Sequence, residues 1–190
     1  VKGLADVQRV IVLVDRNPIR KVLEYRPLDA LPVIGFRFKL EQASPVRAAV
    51  QTKDGQWHVG STWVDSSGGG CTVNGASRND CTWSQTLGQG QAKVYGQSAA
   101  IGDAAARLRL RVMHPMDTGL VGGVPAFYVN KLSVRDAEGR ELARLLSFEP
   151  VSENPVFSFD FASAPRAPLT IAGSDNNGNK IALSTSPTAP

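Results

Sequence analysis

Three glycines running into a cysteine mark the place in this 190-residue chain where residue type and spacing first suggest chemistry. The stretch VDSSGGGCTVNGASRNDC (64–81) holds both cysteines, Cys71 and Cys81, and offers few apolar side chains to anchor either. A structural cysteine is normally buried among packing neighbours, whereas Cys71 reads as presented. Gly68, Gly69 and Gly70 impose little steric restriction. They would let the sulfur sweep outward and let a narrow channel in another protein close around bare backbone. A cysteine thiolate is a strong nucleophile, and a free pKa of about 8.5 leaves a small fraction ionised at neutral pH. No base that would activate it is evident, which suits a carrier whose sulfur is worked on in other active sites. Two readings stand beside that one. A Cys71–Cys81 disulfide would close a loop of about ten residues and add roughly 2–3 kcal/mol as a static staple, or the pair would cycle between dithiol and disulfide as a redox couple.

Other chemistries fail on spacing. GGGC has no Gly-Lys-Ser/Thr after it and is not a phosphate loop. GQGQAK (88–93) puts Lys93 where a dinucleotide fingerprint needs its third glycine, and precedes a strand. DNNGN (175–179) has its glycine too early for a calcium loop and lacks the acidic twelfth ligand, so it reads as an Asn-Gly hairpin. Two histidines and two cysteines at scattered positions give no zinc spacing, and no nucleophile–His–acid set is apparent. His114 is expected to stabilise a turn and His58 to sit on a sheet face. The expectation is a protein that is not an enzyme, with no catalytic residue, metal or cofactor.

The formal net charge of +4 is dispersed. Its densest piece, RLRLRV (107–112), alternates as a half-buried strand does, with Arg107, Arg109 and Arg111 toward solvent. No nucleic-acid motif accompanies it. No apolar run approaches the ~20 residues of a membrane-spanning helix, and there is no signal peptide at the start. The abrupt opening at Val1 suggests a processed or truncated N-terminus.

The elements that would position these residues are strands, because the periodicity is overwhelmingly two. Strands are expected at VQRVIVLV (7–14), VIGFRFKL (33–40), VRAAVQT and QWHVGSTWV, the last two joined by the Asp-Gly turn KDGQ. After a Gly/Ser-rich break, ASRNDCTWSQTLG could form a short helix capped by Asn79 or Asp80 and stopped at Gly88. Strands resume at QAKVYG, RLRLRVMH, AFYVNKLSVRD (126–136), RELARLLSF, PVFSFDF (155–161), PLTIAGSD and NKIALST. DAEGRE and SDNNGNK supply hairpin turns. This spacing indicates an all-β chain of two antiparallel sandwiches. The first has about five strands, marginal for closure, so further strands are expected upstream of Val1.

HPMDTG (114–119), NPVFSFDF (154–161) and GSDNNGNK (173–180), in that order, resemble the SoxZ family. VIVLVDRNP, FRFKLEQASPVRAAVQTKDG and a closing Gly-Gly-Cys resemble the C-terminal part of SoxY. The chain is thus similar to SoxY–SoxZ fusions, the carriers associated with quinoprotein dehydrogenases. The resemblance implies two immunoglobulin-like β-sandwiches, with a SoxY-like unit at 1–75, a connector at 76–90 and a SoxZ-like unit at 91–190. It further implies that Cys71, on the arm Gly68–Gly69–Gly70, covalently carries sulfur intermediates of thiosulfate oxidation in the periplasm. Its partners would be periplasmic sulfur-oxidising or quinoprotein dehydrogenase-associated enzymes, with neither nucleic acid nor membrane as partner. Two features depart from the family pattern. Thr72 follows the cysteine, so the arm is tied at both ends. Cys81 has no counterpart and would be a possible redox partner of Cys71.

Overall fold

The fold comes from a computed structural model, which describes residues 4–73, 75, 81–96 and 104–185; of Cys81 and Thr82 it describes the backbone only. Twelve strands are described: β1 Val7–Val14, β2 Lys21–Arg26, β3 Ile34–Gly35, β4 Ser44–Thr52, β5 Trp57–Val64, β6 Gly90–Gly96, β7 Ala106–Val112, β8 Val129–Arg135, β9 Glu141–Ser147, β10 Val156–Phe161, β11 Thr170–Asp175 and β12 Lys180–Ser184. They form an eight-stranded sheet, β12-β11-β8-β9-β2-β1-β4-β5, and a four-stranded sheet, β3-β10-β7-β6. Every pairing is antiparallel. The all-β sandwich architecture is the one the alternation indicates, and the strands of its two expected units are joined through shared sheets. β2 pairs with β9 from Leu23↔Ser147 to Arg26↔Arg144, and β3 pairs with β10 at Ile34↔Phe159.

The core lies between the sheets. Leu108, Leu110 and Val112 of β7 and Phe157, Phe159 and Phe161 of β10 face inward, and the Tyr25 and Phe159 rings meet at 5.7 Å across the layers. The arginines of β7 point the other way; Arg109 and Arg111 are exposed, as the alternation requires. Arg107 is the exception. It is half-buried and forms a two-pronged ion pair with the buried Asp160, at 2.5 and 2.8 Å. The hairpin turns at KDGQ, DAEGRE and SDNNGNK appear where expected, with Gly55, Gly139 and Gly178 at positive φ.

Three elements differ from the sequence expectation. β2 was not anticipated, because Val22, Leu23, Glu24 and Tyr25 are all buried and a strand covered on both faces has no period-two signature. Only Ile34–Gly35 of VIGFRFKL joins a ladder, with one further bridge at Phe38↔Val151; Phe36 and Phe38 instead pair their rings at 5.9 Å. Among the described residues the connector carries a 3₁₀ turn, Cys81–Gln85, where a short helix was expected. Gly88, at φ +74°, follows as the stop, while the proposed caps Asn79 and Asp80 lie outside the described residues.

A shared sheet makes the halves thermodynamically one unit. Denaturation followed by tryptophan fluorescence and by circular dichroism is expected to give one coincident transition. Leu23→Ala, which opens a cavity beside the β2–β9 junction, is expected to lower its stability by about 2–5 kcal/mol. Two separated transitions would show that the halves fold independently.

Candidate functional site

Cys71 is buried, with 1 % of its surface exposed, and its thiol is free. This corrects the expectation of a presented sulfur, and the reason is polar anchoring that composition does not reveal. The segment Lys39–Glu41 forms the bed on which the arm lies. Asn17, buried in the turn after β1, fixes that bed: its Nδ2 donates to the Lys39 carbonyl and its Oδ1 accepts from the Glu41 amide, both at 2.8 Å. The Gly69 amide donates to the Glu41 carbonyl at 3.0 Å and the Gly70 amide to the Leu40 carbonyl at 3.2 Å. The Glu41 carboxylate then accepts from the Cys71 amide and from the Thr72 hydroxyl, each at 2.9 Å.

The glycines therefore have a steric role in this state besides their freedom. Gly68 and Gly69 take φ of +96° and +79°, where side chains are strained. Gly70 is pressed so close that a Cβ would stand 2.6 Å from the Leu40 carbonyl oxygen and 2.8 Å from its nitrogen.

The other half of the chain closes the site. The Thr118 hydroxyl donates to the Cys71 carbonyl at 2.6 Å, and the Lys39 ammonium donates to the Met116 carbonyl. Both partners belong to the turn HPMDTG. His114 organises that turn as expected, its Nδ1 accepting from the Met116 amide at 3.1 Å. The His114 amide donates to Asn154 Oδ1 at 3.2 Å, and His114 Nε2 lies 3.5 Å from Asp175 Oδ2, both side chains of that contact being buried from solvent. Asp175 in turn accepts from the Asn177 and Asn179 amides at 2.9 Å. Three motifs far apart in sequence thus converge on His114, and the turn they brace holds Cys71. His58 lies half-buried on β5, opposite Val50.

Burial pushes the Cys71 thiol up to about 11, the Glu41 carboxylate adds to the rise and Lys39 opposes it. Burial also lowers the Lys39 ammonium, against the attraction of Asp117, Cys71 and Glu153. Sγ lies 3.8 Å from the Lys39 carbonyl oxygen, a weak contact for a neutral S–H. In this arrangement Cys71 is a stored thiol rather than an activated nucleophile. Sequence reasoning found Cys71 and Gly68–Gly70, which the structure brings together, and missed Glu41, Asn17 and Thr118. Their one-letter surroundings resemble ordinary turn and strand ends. The Cys81 side chain is not among those described; Cys71 is a free thiol here rather than half of a disulfide, and a redox role for Cys81 stays as the sequence left it. Among the described residues no group of three or more His, Cys, Asp or Glu is gathered as a metal site.

Residues 1–71 match the family model described as sulfur oxidation protein SoxY, and residues 96–185 match that of sulphur oxidation protein SoxZ. No curated protein and no solved structure matches the chain. The first match ends on Cys71 itself, and the two matches supply opposite sides of its enclosure.

Gly70→Ala drives a methyl group into the Leu40 backbone. Overpacking of that kind costs about 1–3 kcal/mol, so iodoacetamide labelling of Cys71 is expected to accelerate roughly tenfold to a hundredfold. Thr118→Val removes one hydrogen bond and is expected to give roughly a fivefold increase. Unchanged labelling in both would show that these contacts do not hold the cysteine. The pH dependence has a definite sign. Because the docked thiol's pKa is raised, its contribution to docking is complete below the free value near 9 and is lost as pH rises through about 11. The Cys71 ¹³Cβ shift is expected to titrate near 11 in the wild type and nearer 9 in Gly70→Ala.

Proposed function

Starting from a chain that is a SoxY part followed by a SoxZ part, and so belongs to the sulfur-oxidation proteins, we propose that it is a periplasmic covalent carrier of a sulfur-containing group on Cys71. The observation that carries this reading is the state of the cysteine: a free, buried thiol whose ionisation is suppressed, attached through three glycines and held by hydrogen bonds rather than by a strand. A catalytic cysteine is normally the reverse, partly exposed and with a lowered pKa. Here the enclosure keeps the thiol unreactive until the arm lifts, and chemistry then takes place in the active sites of partner enzymes.

Loading from a thiosulfate-like anion joins Cys71 Sγ to the anion's terminal sulfur. The thiol proton is released and two electrons pass to an oxidising partner, which provides the electron acceptor. Attack by a second partner's thiolate on the sulfur bonded directly to Sγ breaks the new S–S bond and takes over the carried group, and Cys71 leaves as a thiolate that takes up a proton. The partners are periplasmic sulfur-oxidising enzymes, among them those associated with quinoprotein dehydrogenases. Gly68–Gly70 act as the arm, and the tether on both sides of Cys71 limits its reach to partners with shallow active sites. Among the described residues no helix is long and apolar enough to cross a membrane.

The test is intact mass of the protein isolated from its native periplasm, before and after mild reductant. A reductant-labile adduct on the Cys71 peptide, absent in Cys71→Ser, is the expected result. A Cys71→Ser protein that still carries the adduct would overturn the assignment.

A further inference from the structure

A cleft of ≈ 490 Å³ opens beside the arm, lined by Gly70 and by residues from both halves of the chain. Three of its side chains are cationic: Arg37 and Lys39 from the segment leading into the arm's bed, and Arg111 from β7. Glu153 is its only carboxylate among the lining residues. None of the three cations makes an ion pair among the described residues. The Arg37 guanidinium reaches only the Asn154 carbonyl, at 3.4 Å, and the Lys39 ammonium the Met116 carbonyl. Arg37 and Arg111 are exposed at the rim, while Lys39 lies deeper and close enough to Cys71 to affect its ionisation.

Elsewhere on this protein several arginines pair with a carboxylate, as Arg47 does with Asp15, Arg107 with Asp160, Arg140 with Asp136 and Arg144 with Glu141, while Arg16 and Arg135, like Arg37, reach backbone carbonyls. Lys39 feels the carboxylates of Asp117 and Glu153, whereas neither Arg37 nor Arg111 has an ion-pair partner among the described residues, so the rim of this concave, polar space is left positive. The donors suit a small tetrahedral oxyanion: two planar guanidiniums, an ammonium with N–H groups left over after its one carbonyl bond, and the Ser152 hydroxyl. The bare backbone at Gly70 keeps the approach from the arm unobstructed.

We propose that the Arg37–Lys39–Arg111 cleft is a binding site for a small oxyanion, and that its occupant is the charged end of the group carried by Cys71. The second half of this statement rests on the carrier reading above; the first does not. The cleft then selects cargo with a terminal sulfonate-like group over neutral sulfur, and it exists only where the two parts of the chain are joined.

Sulfate is the first probe, titrated at low ionic strength and followed by two-dimensional NMR in a Cys81→Ser background. Saturable shifts are expected around Gly70, Arg111 and Ser152, unchanged in Cys71→Ser, so that failure of the carrier assignment leaves this result standing. Arg37→Gln and Arg111→Gln should each weaken binding about twofold to fivefold, and the pair together about tenfold or more. Arg20→Gln, an exposed arginine outside the cleft, should leave it unchanged. Equal affinity in the double variant and in Arg20→Gln would overturn the site. The second arm identifies the source of the anion. Exchange of Cys71 with tetrathionate leaves an S–S-linked sulfonate on Sγ and releases thiosulfate. If the carried group fills the cleft, sulfate affinity falls sharply on loading. If affinity is unchanged, the cleft serves free anions and the assignment to carried cargo is wrong.

Discussion

Pairing between β2 and β9 carries the eight-stranded sheet across the boundary between the two parts of the chain, and the geometry at Cys71 depends on it. The bed of the arm, Lys39–Glu41, belongs to one part; Thr118 and the Met116 carbonyl belong to the other. A hydrogen bond such as the one from Thr118 to Cys71 weakens steeply when its ends drift by a fraction of an ångström. Two domains on a flexible tether would not hold that distance. A continuous ladder does, and β3 against β10 repeats the connection in the second sheet. Fusion into one polypeptide therefore supplies a rigid frame for a site whose two sides come from different families.

Within that frame the cysteine is held by a few polar contacts and no apolar cluster. Each such bond contributes about 0.5–1.5 kcal/mol net, so the arm is held by modest polar contacts outside the apolar core. The thiol's ionisation works in the same direction. Burial and Glu41 disfavour the thiolate, which keeps the enclosed sulfur unreactive; in the carrier reading proposed above, that penalty would be lost with the arm in water. The lack of a Cβ at Gly70 is what lets the arm lie on Leu40, and the freedom of the three glycines suits the lifting that the proposed carrier role requires.

Much of the fold was legible because alternation reports a sheet with one wet face. β7 is the clearest case, its leucines inward and its arginines outward. β2 was illegible for the opposite reason, since a strand buried on both faces shows no alternation, and it is the strand that unites the molecule. VIGFRFKL has the pattern but pairs through only two residues of a ladder, because its later part turns away to form the arm's bed. At the site, Cys71 stood out by rarity and by its glycines. Glu41, Asn17 and Thr118 did not, since a glutamate after a strand and an asparagine in a turn occur throughout any β protein.

The sequence by itself determined the antiparallel class, the hairpin turns, the position of the one cysteine that follows a glycine arm, and the motif order that pointed to SoxY and SoxZ. All of these are local properties, written in alternation, in Asp-Gly and Asn-Gly pairs, and in short runs of residues. Tertiary structure alone decided that the two parts share their sheets, that HPMDTG, Asn154 and Asp175 meet at His114, and that Cys71 is enclosed rather than displayed. Those outcomes depend on contacts between residues tens of positions apart, such as Cys71 with Thr118. Burial of a polar segment is settled by whether distant partners satisfy its hydrogen bonds, and no local pattern records that.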